Sequence, residues 1–90
     1  MTTEKREQLR QAIVVFLADR PNKAFSVSEI TSARTVRQAV DSEFDESHVK
    51  DALMVVIGFG LVKTVPRTLA GLDDYQITAE GVVFRERNYP

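Results

Sequence analysis

Apolar residues Leu9, Ala12, Ile13, Phe16 and Leu17 recur at the spacing of one helical face, which predicts a first helix over residues 3–20. Thr3 is a candidate cap for its start, and Pro21-Asn22 ends it because the residue before proline disfavours helical angles. Phe25 and Val27 then alternate with two serines, a pattern long enough only for a strand stub. Ser28 is the expected cap of a second helix over 28–40 that buries Ile30, Ala33 and Val40 and turns Thr31, Arg34 and Gln38 outward, with Arg37 near the boundary. After a polar turn at 41–44, Asp45 caps a third helix running to about residue 58. Phe44 and Val49 stand at the positions of a hydrophobic staple around that cap, and Gly60 suits the left-handed residue that ends a helix, with Val56 and Leu61 in contact across it. The third helix buries Val49, Ala52, Leu53 and Val56, which leaves Ser47, Lys50, Asp51 and Met54 on the outside.

Beyond Gly60 the period changes to two. Residues 61–65 and 75–78 read as strands of a hairpin joined by a loop over 66–74, and Thr78 caps a final helix over 79–87 with Ile77 and Val82 as its staple. The order is helix, strand stub, helix, turn, helix, hairpin, helix. With Val49-Lys50-Asp51-Ala52-Leu53 leading to Gly60-Leu61-Val62, and Tyr75-Gln76-Ile77-Thr78-Ala79-Glu80-Gly81 returning from the hairpin, the chain resembles the winged helix-turn-helix family and its small bacterial or prophage regulators. The resemblance implies one α+β domain, mainly α, over residues 1–90: a three-helix core, a β-hairpin wing and a short C-terminal helix.

It also implies a DNA-binding transcriptional regulator of bacterial or phage type. In that family the third helix enters the major groove, the second crosses the phosphates and the wing touches the backbone or minor groove. Matched to this chain, Ser47, Lys50, Asp51 and Met54 face bases, Arg34, Arg37 and Gln38 face phosphates from the second helix, and Lys63 and Arg67 do so from the wing.

Composition bounds this picture. Ninety residues support one modest core, and 43% hydrophobic with 28% charged residues is a globular composition. There is no Cys, which removes disulfides and thiolate metal sites and fits a cytoplasmic setting. Neither a secretory leader nor a membrane-length apolar run is read from the sequence. The net charge of −1 hides an asymmetry: residues 1–40 carry seven Lys or Arg against four acids, whereas residues 41–51 carry five acids against Lys50. Asp41, Glu43, Asp45, Glu46 and Asp51 thus surround the start of the base-facing helix, and Asp73-Asp74 lie near the wing. Carboxylates there oppose phosphate unless they pair with cations or accept from a cytosine amino group, so a winged-helix module that binds protein and not DNA is the alternative reading.

No catalytic, metal or cofactor site is expected. His48 is the single histidine and has no triad or ligand set around it, so a packing or surface role is its natural reading. Ser47 has no base at nucleophile spacing, the acidic turn lacks the central Gly of a Ca²⁺ loop, and Gly58 and Gly60 lack the Lys-Ser/Thr of a phosphate loop. Val14 and Val15 fall on the flank and back of the first helix, and the last segment adds Val82, Val83, Phe84 and Tyr89. That surplus of apolar surface predicts a homodimer through Val14, Val15, Val83 and Phe84.

Overall fold

The fold is known from a computed structural model that describes residues 1–67 and 72–89. Its elements are α1 (Thr3–Ala18), α2 (Val27–Ser32), α3 (Arg34–Ala39), α4 (Glu46–Gly58), β1 (Val62–Pro66), β2 (Asp73–Ile77) and α5 (Ala79–Asn88). This is an α+β, mainly helical chain. Its helices surround one core, and its strands form one antiparallel hairpin in which Val62 pairs with Ile77 and Pro66 with Asp73. Part of the predicted loop, residues 68–71, lies outside the described residues, as does Pro90.

Helix α1 is capped by Thr2 and not Thr3: the Thr2 hydroxyl accepts from the Lys5 amide at 3.2 Å. Its buried face includes the predicted stripe and, in addition, Val14, which is 2% exposed. The predicted second helix is two short helices. Ser26, not Ser28, caps α2, because Ser26-Val27-Ser28-Glu29 forms a reciprocal capping box: Glu29 N donates to Ser26 Oγ at 3.1 Å and Ser26 N donates to Glu29 Oε1 at 3.0 Å. Thr31 turns inward and donates to the Val27 carbonyl at 2.7 Å, a local bond that competes with regular helix. One residue on, Ala33 is extended (ψ 126°) and serves as the end of α2 and the start of α3. The break puts Val36, and not Ala33, in the core beside Ile30 and Val40.

The predicted third helix is α4, whose Val49, Ala52, Leu53 and Val56 are buried. It ends in a full Schellman arrangement. Gly60 sits at φ 77°, Leu61 N donates to Val56 O at 3.0 Å and Gly60 N to Ile57 O at 2.9 Å, while Val56 and Leu61 are both buried. The strand stub is one bridge, Phe25 with Tyr75, made by amide–carbonyl bonds of 2.9 and 2.8 Å that tie the segment before α2 to the wing. The Phe16 and Phe25 rings meet at 4.8 Å behind it.

Thr78 locks the wing to the helices. Its hydroxyl donates to Gly60 O at 2.7 Å and accepts from Gly81 N at 2.9 Å, and its amide donates to Leu61 O at 3.0 Å. Gly81 then passes so near that a Cβ there would stand 2.1 Å from Leu61 O and 2.6 Å from Ile77 Cδ1. Helix propensity alone has Gly81→Ala gain about 1 kcal/mol in α5. The backbone contact reverses that sign, and the expected loss is about 3 kcal/mol. Gly60→Ala, which meets only the left-handed backbone penalty and a movable Glu80 carboxylate at 3.2 Å, should cost about 1–2 kcal/mol. Urea unfolding of both variants checks the order.

Candidate nucleic-acid interface

The outward stripe of α4 carries Ser47, Lys50, Asp51 and Met54, all exposed, opposite the stripe that anchors the helix in the core. Met54 is 72% exposed, unusual for a side chain of its size and polarity. Lys50 also lines a surface groove of about 380 Å³ whose walls come from three elements: Ser26 and Ser28 at the start of α2, Glu46 on α4, and Arg67, Asp73 and Tyr75 on the wing. The Phe25–Tyr75 bridge holds two of those walls together.

The start of α4 is fixed by Asp45. Its carboxylate accepts from Ser47 N at 3.0 Å, from His48 N at 3.2 Å and from the Ser47 hydroxyl. His48 completes the box: its Nδ1 accepts from the Asp45 amide at 3.1 Å, a place usually taken by Glu or Gln. Nδ1 also lies 3.2 Å from Asp45 Oδ1. The bond from the Asp45 amide belongs to the neutral ring with its proton on Nε2, whereas a protonated ring would pair with the Asp45 carboxylate through Nδ1. The packing or surface role expected of His48 is thus a capping role, and its place three residues after the Asp45 N-cap is the sequence signal for it. The Ser47 proton is spent on Asp45, which leaves the hydroxyl only acceptor capacity toward a ligand.

The basic residues separate into committed and uncommitted groups. Arg67 Nε donates to Asp74 Oδ1 at 2.7 Å, so the wing neutralises its own cation. The Arg37 guanidinium lies 5.1 Å over the ring of Phe44, the residue just before the α4 cap. Arg34 is exposed and lines a different groove with Arg20, Phe25 and Glu29, so the structure does not gather Arg34 with Lys50. Gln38 is exposed on α3. Lys50 and Lys63 are exposed and form no ion pair among the described residues. Asp41 is partnered by Lys5 at 3.5 Å, while Glu43, Glu46 and Asp51 have no cation within ion-pair distance among the described residues.

The four residues predicted to form a dimer surface divide as well. Val14 belongs to the domain's own core, where α5 packs across α1, and is withdrawn from that surface. Val15 is half-buried in a groove with Phe16, Thr35 and Tyr89; Phe84 is half-buried against the core; Val83 is 44% exposed. Among the described residues no helix is long and apolar enough to cross a membrane, and no group of three His, Cys, Asp or Glu is placed to hold a metal.

Hydrogen bonding, first from the Ser47 hydroxyl and then from the His48 amide, holds the Asp45 carboxyl below the ordinary carboxylate range. A lowered folded-state value means a stabilising contribution present in full above the unfolded carboxylate range and lost as pH falls through the folded value. Glu29, lowered first by its bond to the Ser26 amide, acts in the same direction. The stability gap between the protein and Asp45→Ala should therefore be largest at neutral pH and close as pH drops below the carboxylate range. Paired thermal melts across pH read that gap.

No protein-family model matches the sequence, and no curated protein matches it. Among solved structures, a transcriptional regulator from Clostridium thermocellum superimposes with a TM-score of 0.73 over 97% of this chain and 82% of the other, at 16% identity. At that identity the likeness is one of fold. Together with the helix order and the two-stranded hairpin of the described residues, it establishes a winged helix architecture for this chain.

Proposed function

We propose that this chain is a non-enzymatic, DNA-binding transcriptional regulator of bacterial or phage type that reads duplex DNA through α4. The observation that carries the reading is the exposed polar stripe on α4, whose Lys50 lines one groove together with Glu46, the start of α2 and the wing. An α-helix fits the major groove of B-DNA, and side chains near its start reach base edges. Lys50 is the proposed donor to a guanine edge, with Met54 meeting an apolar base surface such as the thymine methyl. Asp51 and the Ser47 oxygen act as acceptors suited to a cytosine amino group. Lys63 is the proposed phosphate contact from the wing, with Arg34, Arg37 and Gln38 acting from α3 and Arg67 contributing less because Asp74 already holds it. The solved regulator of the same fold supports this direction.

The regulator is proposed to work as a homodimer, since one such module makes few base contacts and two related by a two-fold axis read paired half-sites. Val83, exposed on α5, with the half-buried Phe84 that follows it and Val15 on α1, is the apolar surface offered for the contact. Sedimentation equilibrium should give twice the chain mass at high protein concentration and the single-chain mass for Val83→Asp; a single-chain mass for the unaltered protein refutes the dimer.

A second reading, a protein-binding module, is favoured by one observation: Met54 and Phe59, 72% and 71% exposed, leave apolar surface on the C-terminal half of α4 and its cap, and Met54 follows one turn after Asp51, a carboxylate with no ion pair among the described residues. Salt-dependent binding to genomic duplex fragments separates the two. On the DNA reading, Lys63→Ala weakens binding alike across sequences and lowers the salt slope by about 1, whereas Lys50→Ala changes the order of preferred sequences. Arg67→Ala should have a smaller effect than Lys63→Ala. No binding to any duplex at low salt returns the protein-binding reading.

A further inference from the structure

On the opposite flank of α4 from the wing groove, a cavity of about 260 Å³ opens between α1 and α4. Its polar lining is Arg6 and Arg10 from α1 and His48 and Asp51 from α4, over a floor that includes Leu9 and Ala52. Arg6 and Arg10 are four residues apart and so project from one helix face, where two like charges repel and weaken the helix. Neither forms an ion pair among the described residues. Asp51, a carboxylate in the same lining, sits within the cavity wall without neutralising either guanidinium. The third donor follows from the cap. Because His48 Nδ1 accepts the Asp45 amide proton, the proton of the neutral ring is on Nε2, and on further protonation Nε2 still carries one. The cavity lining thus brings together two arginines and a histidine against a single carboxylate residue.

We infer that this cavity binds a phosphate group, held by Arg6 and Arg10 and oriented by His48. Guanidinium forks match phosphate oxygens in bidentate fashion, and a phosphate removes the repulsion between the two arginines. With roughly 30 Å³ for each water-sized group, the space suits a phosphate with a small organic substituent. The phosphate belongs either to the DNA backbone beside a bound α4 or to a free phosphate monoester. The assignment goes beyond the DNA-binding reading and stands without it. Occupancy would place negative charge against α1 and the first turns of α4, and so link the site to whatever α4 contacts.

Phenyl phosphate is the probe, titrated into isotope-labelled protein and followed by the amide resonances of residues 6, 10, 48 and 51 and the His48 ring signals. These should move together. Arg6→Gln and Arg10→Gln, which keep most of each stem and relieve the charge repulsion, should melt no lower than the unaltered protein yet weaken binding by roughly tenfold or more. Asp51→Asn should tighten binding, a gain that no folding defect produces. Signals that stay still, or an affinity unchanged in both arginine variants, overturn the inference. Adding duplex DNA to the phenyl phosphate complex then identifies the source: displacement of the probe marks a backbone phosphate as the occupant, and retention of the probe on a DNA-bound or DNA-indifferent protein marks a free phosphate ester. Failure to bind DNA leaves the phenyl phosphate result standing by itself.

Discussion

The Thr78 hydroxyl holds the end of α4, the base of the wing and the start of α5 in one arrangement. One oxygen donates to the Gly60 carbonyl and accepts from the Gly81 amide, so the residue that ends α4 and the first turn of α5 share a single side chain. The arrangement works only because Gly60 adopts a left-handed backbone and Gly81 lets the Leu61 carbonyl approach to a distance that excludes any Cβ. Leu61 in turn places β1 directly beyond α4, and the Val62–Ile77 pair sets the hairpin register. A second tie, the Phe25–Tyr75 bridge with Gln76 Nε2 donating to the Pro21 carbonyl at 2.9 Å, fixes the wing to the segment ahead of α2. The direction of the wing relative to the exposed stripe of α4 is therefore a consequence of short-range backbone geometry at two points.

That geometry decides how the charges are deployed. The chain is close to neutral overall, and the α4 face is richer in carboxylates than in cations, so association with a polyanion cannot rest on bulk attraction. Local pairing offsets part of the deficit. Asp45 is spent on capping α4, Asp74 on Arg67 and Asp41 on Lys5, while Lys50 and Lys63 stay exposed without an ion pair among the described residues. The Arg6–Arg10 pair lies on the flank of the same helix. In this account the N-terminal half of α4 stands between two cationic edges, with Ser47 and Asp51 as acceptors in the middle.

Much of this was legible in the sequence where one residue carries an unambiguous local signal. Asp45 with Phe44 and Val49 around it, Gly60 after an apolar stripe, and Thr78 before a helix all stand where their side chains or backbone angles demand. The predicted second helix is two helices because the apolar period across residues 28–40 is not continuous in space. The Ser26-x-x-Glu29 capping box outweighs Ser28, and Thr31 turning its hydroxyl onto the Val27 carbonyl precedes the break at Ala33, a break for which Ala33 itself gives no sequence cue. Val14 is hidden from the sequence for a related reason: an amphipathic stripe read from α1 alone does not include the second face that α5 covers. The pairing of Arg67 with Asp74, the stacking of Arg37 on Phe44 and the cavity beside His48 depend on tertiary placement, and no spacing rule encodes them.

The claim that α4 and the wing form a DNA-binding face is tested most directly by photo-cross-linking at low salt. Duplex fragments carrying a halogenated uracil in place of thymine are irradiated with the protein, and the linked peptides are identified by mass spectrometry. The account predicts cross-links within residues 46–54 and along β1 around Lys63. Cross-links confined to α5, or none at a protein concentration where binding to the same duplex is measurable, would contradict it.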